Sequence, residues 1–338
     1  MAAPRHPLIS VLLPARNEAE RIGAALADLR QQTLADLEII VIDDGSTDDT
    51  TAVVRTMVKE DGRIHALRQP PRGITAALNN GLTRARGEFI ARMDADDGCA
   101  PERLARQLDL LRRESLALSS CQVAPPPGER YAGGYEVYAS WVNSLLTPGD
   151  IARERFVECP VVHPTLLMPA LLLRKMNGWR EGHFPEDYDL ILRLLAAGYR
   201  MAKAPEPLYF WRDHPRRASR VDPRYSPEAF ARLKAKHLAA GPLRHHKRIV
   251  VWGAGQTSRR TVRPLVELGH EVAAWVDIDA RKIGHRRRGA PVVSPEVLPQ
   301  WRDLPLLVYV GSRGARELIR PRLVQYGYVE GVNAWFCA

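Results

Sequence analysis

The chain has 338 residues, enough for two domains at roughly 150 residues each. With 45% hydrophobic and 26% charged residues, it is neither disordered, collagen-like nor a disulfide-stapled mini-protein. The net charge of +10 lies wholly in the last third: residues 1–211 carry 25 basic and 28 acidic side chains, residues 212–248 carry 11 and 3, and residues 249–338 carry 13 and 8.

In chain order, Leu8–Leu13 is a β-branched apolar run stopped by Pro14, the pattern of a buried strand. Glu20–Gln31 carries Ile22, Ala25, Leu26 and Leu29 at helical spacing. Leu37–Ile42 predicts a second strand, and Ser46 or Asp48 a cap for a helix over Thr50–Lys59. Arg63–Leu67 reads as a third strand, Ile74–Ala85 as a helix and Glu88–Met93 as a fourth strand running into Asp94-Ala95-Asp96-Asp97. This alternation predicts an α/β fold: a doubly wound, mainly parallel sheet whose ligands bind beyond the carboxyl ends of its strands. Pro14–Glu18, Asp43–Asp48 and Asp94–Asp97 all fall there.

Further on, Cys121–Arg130 reads as a proline-rich loop, Gly134–Leu146 as an aromatic helix, and Asp213–Arg224 as a basic loop. Ser226–Ala240 reads as a connecting helix with Ser226 as cap and Pro227 at its first position. The alternation then restarts: Arg248–Trp252 strand, GAGQTS turn, Thr257–Leu268 helix, Glu271–Val276 strand, and later Leu306–Val310 before a helix. The expected division is residues 1–240, including a basic connecting segment 212–240, and a smaller Rossmann-like domain at 241–338.

No stretch approaches the roughly 18 uncharged apolar residues of a membrane span; the run Val161–Leu173 is broken by His163, Pro164 and Pro169. With no secretory pattern at the N-terminus, a cytoplasmic location is expected. Cys99, Cys121, Cys159 and Cys337 stand apart with no CxxC pair and read as reduced thiols. The basic excess attracts polyanions, and anionic membrane at the inner face ranks above nucleic acid, for which no motif is present. Only seven of the 49 basic residues are lysine, a bias that composition alone also accounts for.

Asp94 and Asp96, two apart at a strand end, point the same way. Carboxylates on one face repel unless a cation neutralises them, and Mg²⁺ or Mn²⁺ does so while leaving positions for substrate phosphate oxygens. A lone aspartate there is more simply a helix cap. Three in four residues, beside Asp43–Asp44, favour the metal.

The runs LPARNEAE, VIDDGSTDDT, GITAALNNGLTRARGEFIARMDADD, HPTLL, GWREG, PEDYDLILRLLAAGYR and YFWRDH together resemble the family 2 nucleotide-sugar glycosyltransferases of GT-A fold, through about residue 214. The resemblance implies that Pro14, Arg16, Glu18, Asp44, Arg72, Asn79, Asp94 and Arg212 bind the nucleotide sugar. It implies Asp96, Asp97 and, less directly, His214 as metal contacts, and Asp187, beside Glu186, as the base that deprotonates a sugar or lipid-linked acceptor in an inverting transfer. Glu186 and Asp189 are expected to raise Asp187 by like-charge repulsion. His163 reads equally as an acceptor contact and as a loop histidine.

Gly253-Ala254-Gly255 with Ser258 in place of the third glycine, and Asp277 closing the next strand, match the dinucleotide fingerprint in part. With no Tyr-x-x-x-Lys or catalytic cysteine in view, nucleotide binding without chemistry, or a dimer contact, ranks ahead of NAD-dependent oxidoreduction.

Overall fold

The structure is a computed structural model that describes residues 6–215 and 217–338. The chain divides into two compact units. The first runs to Ile151 and takes in Pro160–Gly182 and Glu186–Val221; the second comprises Ala152–Cys159, His183–Pro185 and Asp222–Ala338. The helix Pro227–Ala240, capped by Ser226 Oγ accepting from the Ala229 N–H, belongs to the second unit.

The first unit is built on an eight-stranded sheet. Its strands are β1 (Ile9–Ala15), β2 (Leu37–Asp44), β3 (Ile64–Gln69), β4 (Phe89–Arg92), β5 (Gly98–Cys99), β6 (Leu118–Ala124), β7 (Leu167–Pro169) and β8 (Met201–Phe210), in the order β3-β2-β1-β4-β7-β6-β8-β5. β3, β2, β1 and β4 are parallel, β7 runs against both β4 and β6, and β6 and β8 are parallel. Every residue of β2, and all of β1 but Pro14, is buried, as strands covered by helices on both faces require. The order reverses between β1 and β4, which opens a crevice beyond their carboxyl ends.

The second unit carries β9 (Arg248–Trp252), β10 (Glu271–Val276), β11 (Arg286–Arg287), β12 (Ala290–Val293), β13 (Leu306–Val308) and β14 (Ala334–Phe336), in the order β11-β12-β10-β9-β13-β14. All but β11 are parallel, and this order also reverses at its first strand, between β9 and β13.

Three local readings change and one strand, β8, is missed. The basic loop Asp213–Arg224 holds a short helix, Ala218–Val221. Cys121–Ala124 is strand, because Cys121 and Val123 are buried, and the loop starts only at Pro125. The helix expected over Thr257–Leu268 divides into Gln256–Thr261 and Arg263–Glu267, where Pro264 has no N–H to continue the ladder. β8 carries Pro205 and Pro207, which hide it from strand patterning; its register with β6 shifts on either side of Gln122 to admit them.

Below the crevice, at the opposite end of the sheet, Glu38 is buried in a polar knot. It accepts from the Ser10 hydroxyl (2.6 Å), the Arg86 N–H (2.8 Å) and the Arg86 guanidinium (2.7 and 2.9 Å). The Ser10 hydroxyl in turn accepts from Gly87 N–H, where a Cβ would lie 2.5 Å from the Ser10 nitrogen. Burial works to raise the Glu38 carboxyl, but the bonds from Ser10 and Arg86 outweigh it and hold it below the ordinary glutamate value. Its stabilisation is therefore complete above that value and lost on acidification. Glu38→Gln is expected to lower unfolding free energy by about 1–3 kcal/mol at neutral pH. Chemical denaturation at neutral pH and below pH about 4 should show the gap narrowing in acid; a pH-independent gap refutes the assignment.

Candidate active site

The bend after β4 gathers the carboxylates of Asp94, Asp96 and Asp97, each with an oxygen within 4.8 Å of the others. Asp97 is buried. It accepts from the Tyr209 hydroxyl (2.9 Å), the Arg212 N–H (2.8 Å) and the Arg217 guanidinium (2.9 Å), while burial pushes its carboxyl up to about 7 against the pull of Arg217. Asp96 lies 2.7 Å from His214 Nε2 and 3.6 Å from Arg217 Nη1; burial tends to raise it, and Arg217 and His214 bring it below the usual carboxylate value. Asp94 accepts from Arg92 Nη2 (2.8 Å) and Arg217 Nη2 (3.1 Å). One guanidinium thus touches all three acids, the neutralisation that crowded carboxylates demand.

Three residues outside the sequence-derived set build this bend. Tyr209, on β8, donates to Asp97 and accepts from the Asp94 N–H (3.1 Å), fixing both ends of the turn with one hydroxyl. Arg217 lies over Trp211 at 5.2 Å and is itself buried. Arg92, the last residue of β4, is fully buried, and its Nε and Nη1 have no hydrogen-bond partner. Buried cations beside an acidic motif are the signal that sequence reading passed over. Arg212, read as a nucleotide contact, supports the bend instead: its Nη1 donates to the Asp96 carbonyl (2.7 Å) and its Nε reaches Glu129 (3.3 Å).

The loops after β1 and β2 interlock. Asn17, at φ 56°, donates its N–H to Ser46 Oγ (3.0 Å) and accepts from the Thr47 N–H (2.8 Å). The Glu18 N–H bonds Thr50 Oγ1 (2.8 Å), and Glu18 pairs with Arg21 (3.4 Å). Pro14 is partly buried and Arg16 exposed at this rim. Asp44 accepts from the N–H groups of Arg72 and Gly73 and from Gln69 Nε2, each at 2.8 Å, so its oxygens organise the loop that carries the exposed Arg72. Asn79 bonds the Trp179 carbonyl (2.7 Å) and N–H (3.1 Å), so its amide fixes the Gly178–Trp179 turn.

Asp187 lies in the first turn of the helix Glu186–Ala196, where acidic residues suit the helix dipole. Burial first, then repulsion from Glu186, push its carboxyl up to about 7, while Arg92 acts in the opposite direction. Asp189, expected to contribute, is instead paired with Arg193 (2.7 Å). His163 is buried; its Nε2 accepts from Trp179 Nε1 (2.8 Å), and burial with nearby Arg92 holds it well below the usual histidine value. Its Nδ1 lies 3.7 Å from Glu186, the neighbour of Asp187.

In the second unit, Gly253 adopts φ 116°, and a Cβ there would meet Ser258 Oγ at 2.7 Å. Ser258 donates to the Tyr309 carbonyl (2.8 Å), tying the turn after β9 to the end of β13. Gly255 precedes the short helix with open space around its Cα. Both Asp277 oxygens are engaged, one by the Asp279 N–H (3.0 Å), the other by the Ala254 N–H and Lys282 Nζ (3.0 Å each). The acid that a dinucleotide's ribose requires is turned inward to the protein.

A sheet in this order, with an aspartate triplet at the end of its fourth strand, has the architecture of the GT-A glycosyltransferases. Residues 10–168, just under half of the chain, match the model of Glycosyl transferase family 2. Chondroitin synthase of Pasteurella multocida is 28% identical over 198 residues, which cover 57% of this chain and only 19% of that protein. An uncharacterized glycosyltransferase of Haemophilus influenzae is 29% identical over 239 residues, covering 69% of this chain and 73% of its own. The fold matches S. aureus TarS 1–349 in complex with UDP-GlcNAc at a TM-score of 0.56 and 18% identity, over 77% of this chain and 70% of that one. Among the described residues no helix is long and apolar enough to cross a membrane.

Removing the Tyr209 hydroxyl tests the bend. Tyr209→Phe is expected to weaken Mn²⁺ affinity about tenfold, as loss of a partner that orients ligands does, with the fold retained by circular dichroism. Unchanged Mn²⁺ affinity in calorimetry would separate the hydroxyl from ion binding.

Proposed function

We propose that the chain transfers a sugar from a nucleoside-diphosphate donor, with UDP-sugars favoured, to a hydroxyl acceptor, using a divalent cation and inverting the anomeric carbon, in assembly of polysaccharide or glycolipid. The observation that carries this is the convergence of three carboxylates within 4.8 Å at the point where the strand order reverses. A TarS structure holding UDP-GlcNAc agrees with such a donor, and a chondroitin synthase among the relatives agrees with polysaccharide assembly.

The donor set suits a hard divalent ion: carboxylate oxygens, and an imidazole whose buried Nδ1 has no hydrogen-bond partner. Asp96, Asp97 and His214 would hold Mg²⁺ or Mn²⁺, with Asp94 toward the ribose. Bound there, the ion offsets negative charge on the departing diphosphate. Pro14, Arg16, Glu18 and Arg72 line the nucleotide side of the crevice, while Asp44 and Asn79 act through the loops they hold.

Asp187 takes the proton of the acceptor hydroxyl as its oxygen bonds the anomeric carbon. The bond to the diphosphate breaks with its electron pair on the leaving oxygen. A carboxyl raised to about 7 is suited to this, since a base is most effective when its pKa lies near the working pH. Arg92, paired with Asp94 and within charge reach of Glu186, acts against the rise of the Asp187 carboxyl.

Part of the basic stretch is neutralised within the protein. Arg212, Arg217, Arg220 and Arg224 are each paired with Glu129, the aspartate triplet, Asp213 and Asp222; Arg216 lies outside the described residues. The engaged Asp277 likewise weighs against the NAD reading.

Release of nucleoside diphosphate from a panel of nucleotide sugars, with and without Mn²⁺, tests the reaction; metal-independent turnover would overturn the role of the triplet. Asp187→Asn is expected to cut turnover by about 10²–10⁴ while leaving donor affinity intact. Catalysis should rise with pH to a plateau above about 7, where Asp187 is ionised. Glu186→Gln removes a like charge, so the rise should move to lower pH. A rise that stays in place in Glu186→Gln assigns the titration to another group.

A further inference from the structure

We infer that the second unit contains a binding site for a small ligand carrying two or more phosphates, separate from the aspartate triplet. Gln256, Arg259, Arg260, Arg263 and Arg288 line a cavity of about 370 Å³, a volume within the range of small-molecule sites. Four of these five residues are arginine, and no acid is among them.

The spacing of the first four follows from the helical repeat. Positions 256, 259, 260 and 263 stand at i, i+3, i+4 and i+7, so they share one face across the two short helices after β9. Those helices run back from the carboxyl end of β9 toward the start of β10, so the arginine face lies on the β10 side of β9.

Arg288 arrives from elsewhere. It sits in the two-residue turn joining β11 to β12, with φ 48° at Arg288 and 80° at Gly289. Two positive φ values define a turn whose first position suits Asn, Asp or Gly. A long, charged side chain here is held in a left-handed conformation that disfavours it, and it is directed at three other arginines.

The charges are not balanced within the protein. Arg263 pairs with Glu267 (2.7 Å), but among the described residues no carboxylate lies within ion-pair distance of Arg259, Arg260 or Arg288. This contrasts with Arg212, Arg217, Arg220 and Arg224, each matched to an acid. The guanidinium of Arg263 faces those of Arg260 (i, i+3) and Arg259 (i, i+4), like charges that repel, and a multivalent anion removes that repulsion. Their planar forks bind phosphate oxygens in pairs. A concave wall of four forks fits clustered phosphates on a compact molecule better than a flat lipid surface. Recognition here runs through phosphate and not through the ribose, since Asp277 is engaged by Ala254, Asp279 and Lys282.

Calorimetric titration of the full chain with inorganic tripolyphosphate, in EDTA so that no divalent ion serves the aspartate triplet, tests this. Saturable binding at one site is expected, weakening as salt rises. The double variant Arg259→Gln/Arg288→Gln should lose at least about tenfold in affinity, equivalent to about 1.4 kcal/mol. Asp96→Ala should bind as the wild type does. The proposal is overturned by absence of binding at low salt, by undiminished binding in the double variant, or by orthophosphate binding as tightly as tripolyphosphate. A lipid source is distinguished by co-sedimentation with phosphatidylglycerol vesicles. Capture through the same arginines that tripolyphosphate fails to compete away would make the occupant a membrane and refute the soluble ligand.

Discussion

Three carboxylates within 4.8 Å of one another at the end of β4 set the electrostatic condition that the surrounding structure answers. Two unit charges 4 Å apart interact by about 4 kcal/mol at an effective dielectric near 20, so an uncompensated triplet would strain the bend. The compensation comes from two directions, Arg92 from within β4 and Arg217 from the segment after β8, where His214 also bonds Asp96. The stability of that segment and the ionisation of the triplet are therefore linked. Tyr209 adds a neutral link, since its hydroxyl bonds both the first residue of the bend and the last carboxylate.

Much of this frame was legible because its signals are local. β1, β2 and β4 are short apolar runs that end in polar clusters, and strands buried on both faces read that way. The triplet declares itself through three acids in four residues. Its partners do not, because the pairing of Tyr209 with Asp97 spans 112 positions and that of Arg217 with Asp97 spans 120. Only the crossing of β6, β7 and β8 brings them together, and β8 is disguised by two prolines.

Asp44 and Asn79 show what sequence leaves out in another way. Resemblance assigns both to ligand, and their oxygens and amide also engage the N–H groups of Arg72 and Gly73 and the backbone of Trp179. Turns leave backbone donors that need acceptors, and short polar side chains supply them. Sequence shows that such a residue borders a crevice; it does not show whether the side chain faces the crevice or the loop. Asp277 is the same case in the second unit, where the fingerprint acid bonds the turn it follows.

The two sheets then make a comparison of their own. Each reverses its strand order beside its first strand. In the first the strand-end loops at that point carry Asp94, Asp96 and Asp97, as helices packed on either face leave the reversal point open. In the second the four arginines stand elsewhere, because the β11–β12 turn that carries Arg288 precedes β12, which pairs with β10 and not β13. Topology therefore accounts for the position of the acids and not for that of the arginines. The acids have counter-charge built in through Arg92 and Arg217, whereas Glu267 alone pairs within the arginine cluster. A cluster that holds its own counter-charge persists empty at little cost, whereas one that does not is stabilised by whatever anion enters it.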